Sequence, residues 1–225
     1  MPPPDLTLGR LLESFRRHRF ATLLFLLLVT LAVAPIFAAA TGIDLWEFLL
    51  GLILLAAIAS ATDVPWVRTL VLLGLGFFVV RLAQILVGVD ALMPLSQVLW
   101  IATALLATIV TMRHALRSGK VNSERICAAL DAYLLLGLIF GVGYRLIDET
   151  WPGSFTMATE GPLSLGRAVY FSFVTLATLG YGDIVPASDA AAGVTIVEAM
   201  IGQFYLVVLV ARLVSLYARA DADRF

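Results

Sequence analysis

Along this chain apolar positions do not alternate with polar ones but run on in long blocks. Six blocks stand out: Phe20 to Ala40, Trp46 to Thr62, Thr69 to Val87, Leu95 to Met112, Ile126 to Ile147 and Ala190 to Tyr217. A helix needs about 20 mostly apolar residues to cross a bilayer, so each block predicts a spanning helix, the second being the shortest. Turn and breaker residues separate them: Thr41-Gly42, Asp63-Val64-Pro65, Asp90 with Pro94, and Ser118-Gly119. The expectation is an all-α membrane protein with six transmembrane helices.

The gap before the sixth block is organised differently. Trp151-Pro152-Gly153 opens an exposed turn, Pro162-Leu163-Ser164 carries a helix-start signal, and Gly166 to Ala177 is apolar over about three turns. That stretch is too short to span. It predicts a half-helix that enters the membrane and must come back. A non-helical return at that depth is tolerated only where it is buried in protein or faces water. The return is Thr178-Leu179-Gly180-Tyr181-Gly182-Asp183.

Composition agrees with the blocks: 61% hydrophobic residues, 14% charged and a mean hydropathy of +0.98 place the chain in the membrane class. The net charge of -1 says nothing about partners, whereas the placement of Lys and Arg orients the chain. With the N-terminus inside, the inner segments hold Arg10, Arg16, Arg17, Arg19, Arg68, Arg113, Arg117, Lys120, Arg125, Arg212, Arg219 and Arg224, twelve of the 15. The outer side holds Arg145 and Arg167, with Asp44, Glu47 and Asp90 marking the outer loops. Both termini are therefore expected in the cytoplasm of a multi-pass protein of the cell (inner) membrane. Arg16-Arg17-His18-Arg19 and Ala38-Ala39-Ala40 imitate a secretory signal, but the apolar run between them exceeds the usual length, so the first helix is expected to stay.

Single Cys127 excludes an intrachain disulfide and is expected to be a small buried hydrophobe. One cysteine and two histidines give no nucleophile or metal constellation, which disfavours an enzyme. No cofactor is expected. The return loop carries a different chemistry. Glycines at alternate positions, Gly180 and Gly182, can take positive φ at little steric cost, so successive carbonyls can turn to one side. Thr178 adds a hydroxyl oxygen, and oxygens in close array suit a dehydrated alkali cation.

The run Thr175-Leu176-Ala177-Thr178-Leu179-Gly180-Tyr181-Gly182-Asp183 closely resembles the potassium-channel signature. The similarity extends over Ile126 to Tyr217 in the order outer helix, turret, pore helix, filter, inner helix. The resemblance implies a selectivity filter and pore helix between helices 5 and 6. Carbonyls of Thr178, Leu179, Gly180 and Tyr181, with the Thr178 hydroxyl, would replace the hydration shell of K+, with Gly182 completing the filter. Thr175, Asp183 and Glu198 would support the filter from behind. Tyr181 argues for potassium selectivity. Position 179 is Leu where Val or Ile is more usual, and position 174 is Val where some members carry a carboxylate. The C-terminal end of the pore helix would favour a nearby cation, and Tyr170, Phe171 and Phe173 would form an aromatic cuff or simply pack.

Further down, Gly202 stands where resembling channels often place a hinge, although glycine also lets helices pack closely. Gln203, Leu206, Val210 and Val214 share one helical face and are the candidate cavity and gate lining. Charges inside the spans are expected to have partners: Glu198 with a pore-helix hydroxyl or Arg145, Arg81 with Asp44 or Glu47, Asp131 with Arg125 unless it snorkels. The block Leu95 to Met112 lacks the arginines of a voltage sensor, so little voltage dependence is expected, and His114 is expected to be solvated.

The resulting organisation is a cytoplasmic tail at 1–19, a four-helix unit at 20–112, a linker at 113–125, a pore domain at 126–217 and a tail at 218–225. Neither tail is long enough to fold alone. One pore loop cannot encircle an ion, so the resemblance implies a homotetramer in the lipid bilayer with K+ as its partner and no nucleic acid. The alternatives are a weakly selective monovalent cation channel and a pore-loop subunit of a cation transporter.

Overall fold

The computed structural model describes residues 18–41, 46–60, 67–87, 93–116, 122–157 and 161–222. In chain order these form α1 (Arg19–Thr41), α2 (Trp46–Ser60), α3 (Val67–Val87), α4 (Met93–Ala115), α5 (Ser123–Thr150), β1 (Phe155–Met157), α6 (Leu165–Leu176), β2 (Ile184–Pro186) and α7 (Asp189–Ala222). Most of the tail residues around Pro2 and Arg224, the breakers Gly42, Asp63, Pro65, Asp90, Ser118 and Gly119, and Asp44 lie outside the described residues, as do Arg10, Arg16, Arg17, Arg117 and Lys120.

Each helix follows its apolar block, and local chemistry sets its ends. Asn122 Oδ1 accepts a 3.1 Å hydrogen bond from the Arg125 amide, which starts α5 three residues ahead of the apolar run. Ser164 caps α6 in the same way through the Arg167 amide, and Ser188 caps α7 through the Ala191 amide. Helix α1 runs unbroken through Pro35. Membrane helices tolerate proline because neighbouring groups take up the freed backbone bond.

One face of α1 is buried through Leu23, Leu27, Thr30 and Ala34, while Phe25, Val33 and Ile36 are exposed. Large apolar side chains are also exposed on α2, α3 and α4, among them Phe48, Leu72 and Val98. In water such surface would drive association; in hydrocarbon it is solvated. Among the described residues, α1, α4, α5 and α7 are long and apolar enough to cross a bilayer. The chain is thus a multi-pass, all-helical membrane protein with one small sheet. At 15 residues α2 reaches only about 22 Å, short of the roughly 30 Å hydrocarbon core.

The core joins α1 to α5 through Leu27, Ile53, Leu54, Leu70, Trp100 and Leu138. Several buried polar groups inside it find backbone partners. Trp100 Nε1 donates 3.1 Å to the Leu50 carbonyl, and the hydroxyls of Thr103, Thr108 and Thr111 donate back to carbonyls one turn earlier. Gln97 Nε2 donates 2.7 Å to Glu149, tying α4 to α5.

Several expectations for the charged residues change here. Arg81 Nη1 donates 2.8 Å to Gln84 on its own helix, and its expected partners Asp44 and the Glu47 side chain lie outside the described residues. Asp131 neither snorkels nor hydrogen-bonds: it is fully buried and neither carboxylate oxygen has a hydrogen-bond partner, because its position on α5 faces other helices. His114 packs its ring 4.5 Å from Phe20 instead of standing in water. Cys127 is half-buried, not a core residue.

Candidate functional site

Close glycine contacts fix where α6 sits. A Cβ added at Gly141 of α5 would lie 2.8 Å from the Val169 Cα, and one at Gly137 would lie 2.6 Å from the Phe173 ring. Residues rise along α5 as they fall along α6, so the two run antiparallel. Against α7 the order is the reverse: Ser172 meets Glu198 and Leu176 meets Gly202, so α6 and α7 descend together. Leu176 ends α6 level with a residue thirteen positions into α7, about 20 Å below its start.

The chain then climbs back. Strand β2 pairs antiparallel with β1, in the register Phe155 to Pro186, Thr156 to Val185 and Met157 to Ile184. Strand β1 follows the end of α5, so β2 is back at the level where the descent began. Residues 177–183 cover the height between, and about seven extended residues of roughly 3.3 Å each are enough to do so. The sheet was not expected from the sequence; a three-residue strand has no pattern long enough to read.

The ascending segment has an unusual backbone. The amides of Ala177, Thr178 and Leu179 close the end of α6 onto the carbonyls of Phe173, Thr175 and Val174 at 2.9–3.0 Å. Then φ is positive at every second residue: 57° at Thr178, 55° at Gly180 and 76° at Gly182. Alternation of this kind lets successive carbonyls point to one side instead of alternating across a strand. Glycine was expected to do this. Thr178 was not, because a β-branched residue at positive φ is strained, and strain of this kind concentrates at working sites.

Thr178, Leu179, Gly180, Tyr181, Gly182 and Asp183 are all exposed on the single chain, Leu179 at 55% and Tyr181 at 66%. The helix behind them is not: Ala168, Ser172 and Leu176 are fully buried. Thr175 is half-buried, its carbonyl holding the Thr178 amide. Tyr170, half-way along α6, is exposed and stands within electrostatic reach of Asp183 at the mouth of the segment. An aromatic cuff of three rings does not form. Phe171 points the other way, 5.0 Å from Tyr144 and 5.5 Å from Phe155, and Phe173 covers Gly137. Consecutive helical residues are about 100° apart, so 170, 171 and 173 cannot share one face.

Two ties join α6 to its neighbours. In the upper one, Glu198 is fully buried and within hydrogen-bond distance of the Tyr144 and Ser172 hydroxyl oxygens, while Ser172 Oγ is also 2.7 Å from the Gly137 carbonyl. Of the two partners expected for Glu198, the pore-helix hydroxyl is the one it meets. Arg145 pairs with Glu149 and donates 2.7 Å to the Leu163 carbonyl. In the lower tie the Tyr133 hydroxyl donates 3.2 Å to the Leu176 carbonyl, and the Tyr205 hydroxyl donates to Ala129. Tyr133→Phe should lower the unfolding free energy by about 1–3 kcal/mol, since the Leu176 carbonyl loses its side-chain donor. Thermal unfolding in detergent measures this, and an unchanged midpoint would show that the bond carries no weight.

Helix α7 passes straight through Gly202, where an added Cβ would be 3.2 Å from the Leu176 carbonyl. Glycine therefore serves close packing in this structure. Gln203, Leu206 and Val210 are exposed below it on α7, and the Val214 side chain lies outside the described residues.

Residues 132–219 match the model of an ion channel family. Two relatives from Oryza sativa subsp. japonica are potassium channels by name. Two pore potassium channel c is 38% identical over 86 residues, which is 38% of this chain and 17% of that protein. Two pore potassium channel b is 41% identical over 73 residues, 32% of this chain and 18% of that protein. Two-pore potassium channel 4 of Arabidopsis thaliana is 41% identical over 83 residues, 36% of this chain and 27% of that protein. The matches thus span less than a third of the length of each relative. No solved structure matches significantly. Over residues 132–219, from α5 through the ascending segment into α7, this chain is similar to the ion channel family and to the potassium channels named above.

Proposed function

We propose that this protein forms a homotetrameric potassium channel in which α6 is a re-entrant pore helix and residues 178–182 are the selectivity filter. The single observation that carries the reading is the alternation of positive φ at Thr178, Gly180 and Gly182. It supports a row of carbonyl oxygens on one side of a segment that is otherwise left uncovered. Stripping water from K+ takes a ring of such oxygens, and one copy supplies only an arc. Four copies around an axis supply the ring, with Tyr170 and Asp183 bracing each mouth and Thr175 and Glu198 set behind. The relatives named above are two-pore proteins, whereas this chain holds one copy of the run. On α7 the exposed Gln203, Leu206 and Val210, continued by Val214, line the passage below, and Gly202 is where that helix can bend.

Charge placement supports the six-span layout with both termini in the cytoplasm of the cell membrane, the four-helix unit at 20–112 and the pore domain at 126–217. On α4, basic residues occur only in the last turn, as Arg113 and His114. Moving one charge through 100 mV yields about 2.3 kcal/mol, so a helix without such charges leaves opening nearly independent of voltage.

Reconstitution into liposomes tests the reading. A potassium gradient should drive flux that barium blocks, and bi-ionic measurements should place K+ well ahead of Na+. Currents in a planar bilayer should change little in open probability across the accessible voltage range. Equal permeation of both cations, or no flux from correctly inserted protein, would end the proposal.

A further inference from the structure

The upper tie behind α6 contains a hydrogen-bond count that does not close for an ionised Glu198. Ser172 has one hydroxyl proton. Its Oγ lies 2.7 Å from the Gly137 carbonyl and within hydrogen-bond distance of Glu198 Oε1, and both are acceptors when the carboxyl is ionised. Tyr144 gives its own single proton to Glu198 Oε2. Three short oxygen contacts therefore have two protons between them. One contact would have two acceptors facing each other with nothing between, which at that distance is repulsive. A third proton, on the carboxyl itself, satisfies all three: Glu198 donates to Ser172, Ser172 donates to Gly137, and Tyr144 donates to Glu198. The surroundings favour the same count. Glu198, Ser172 and Tyr144 are fully buried, and no basic side chain acts on Glu198 among the described residues. An uncompensated carboxylate at that depth is expensive.

We infer that Glu198 works as a neutral carboxylic acid, a hydrogen-bond donor that locks α7 and α5 to the back of the pore helix through Ser172. The tie has a consequence for the filter that rests on the proposed channel function. Position 174 on the pore helix, where some resembling channels carry a carboxylate, is Val, so here the carboxyl group reaches the pore helix from α7. Any movement of α7 is thereby passed to the helix that ends in the filter. Glu198, Ser172 and Tyr144 are positioning residues.

Glu198→Gln is the decisive variant, because its amide can donate to Ser172 and accept from Tyr144 without ever ionising. Its thermal midpoint and potassium flux should match the parent within about twofold in rate, whereas Glu198→Leu and Ser172→Ala should each lose about tenfold or more in flux, the size expected when buried hydrogen-bond partners are orphaned. An infrared difference spectrum of the full protein at neutral pH, parent minus Glu198→Gln, should show the carbonyl stretch of a protonated carboxyl. That readout needs no conduction. If the parent carries no flux but the stretch is present, the channel reading fails and the tie stands. If the difference spectrum shows only carboxylate bands, or Glu198→Gln behaves like Glu198→Leu, the inference is overturned.

Discussion

Gly180→Ala should abolish potassium flux in liposomes while leaving expression, insertion and helix content unchanged. Gly180 sits at φ 55°, where an L side chain costs roughly 1–2 kcal/mol. On a single chain that cost is almost the whole effect, since no atom lies within 4 Å of the added Cβ. Nothing in the helical core is touched. In a ring the same cost is repeated in every copy, and relaxing it means rotating a peptide plane, which swings a carbonyl off the axis. Four copies at about 1 kcal/mol each correspond to a loss on the order of a thousandfold. Gly143→Ala is the matched control: its Cβ also meets nothing within 4 Å, but its backbone is not in the left-handed region. The control should conduct like the parent. If both variants conduct alike, backbone conformation at residue 180 has no part in permeation.

How much of this was legible in the sequence follows from how local each feature is. The long apolar blocks were readable because a spanning helix needs only a run of suitable length, and α1, α4, α5 and α7 lie on their blocks with ends shifted by one to a few residues. The shifts come from caps such as Asn122 and Ser188, whose effect depends on a hydrogen bond and not on hydropathy. The positive φ of Gly180 and Gly182 was readable because glycines two apart between two apolar blocks suit a backbone that leaves the usual regions. Positive φ at Thr178 was not, since propensity argues against it and the tight closure of α6 onto Thr175 and Val174 overrides propensity. Glu198 stood out as a charge in an apolar helix, but its partners are 26 and 54 residues away in sequence. No spacing rule brings Ser172, Tyr144 and Gly137 to one point; the antiparallel and parallel registers of three helices do. Asp131 was misread for the same reason, and the choice between cuff and packing for Phe171 stayed open, because their neighbours belong to other elements.

Gly141→Val should prevent α5, α6 and α7 from packing together, and even Gly141→Ala should destabilise that packing measurably. The reason is which atoms stand opposite. At Gly137 the nearest atoms to an added Cβ belong to the Phe173 ring, which can rotate away. At Gly141 they are the Val169 Cα at 2.8 Å and its backbone nitrogen at 3.1 Å, and backbone inside a helix cannot move without carrying the helix with it. Overpacking of this kind costs about 1–3 kcal/mol for a single methyl and more for a branched side chain. Helix α6 would be pushed off α5, and with it the Ser172 contact to Gly137 and the placement of the whole ascending segment. The expected order of thermal midpoints is parent, then Gly137→Ala, then Gly141→Ala, with Gly141→Val recovered mainly as aggregate. Potassium flux per inserted protein should fall in the same order, because the height at which α6 ends sets where the carbonyls begin. Gly141→Ala with the parent's midpoint and flux would mean that the two backbones do not touch, and the depth assigned to residues 178–182 would then have no anchor.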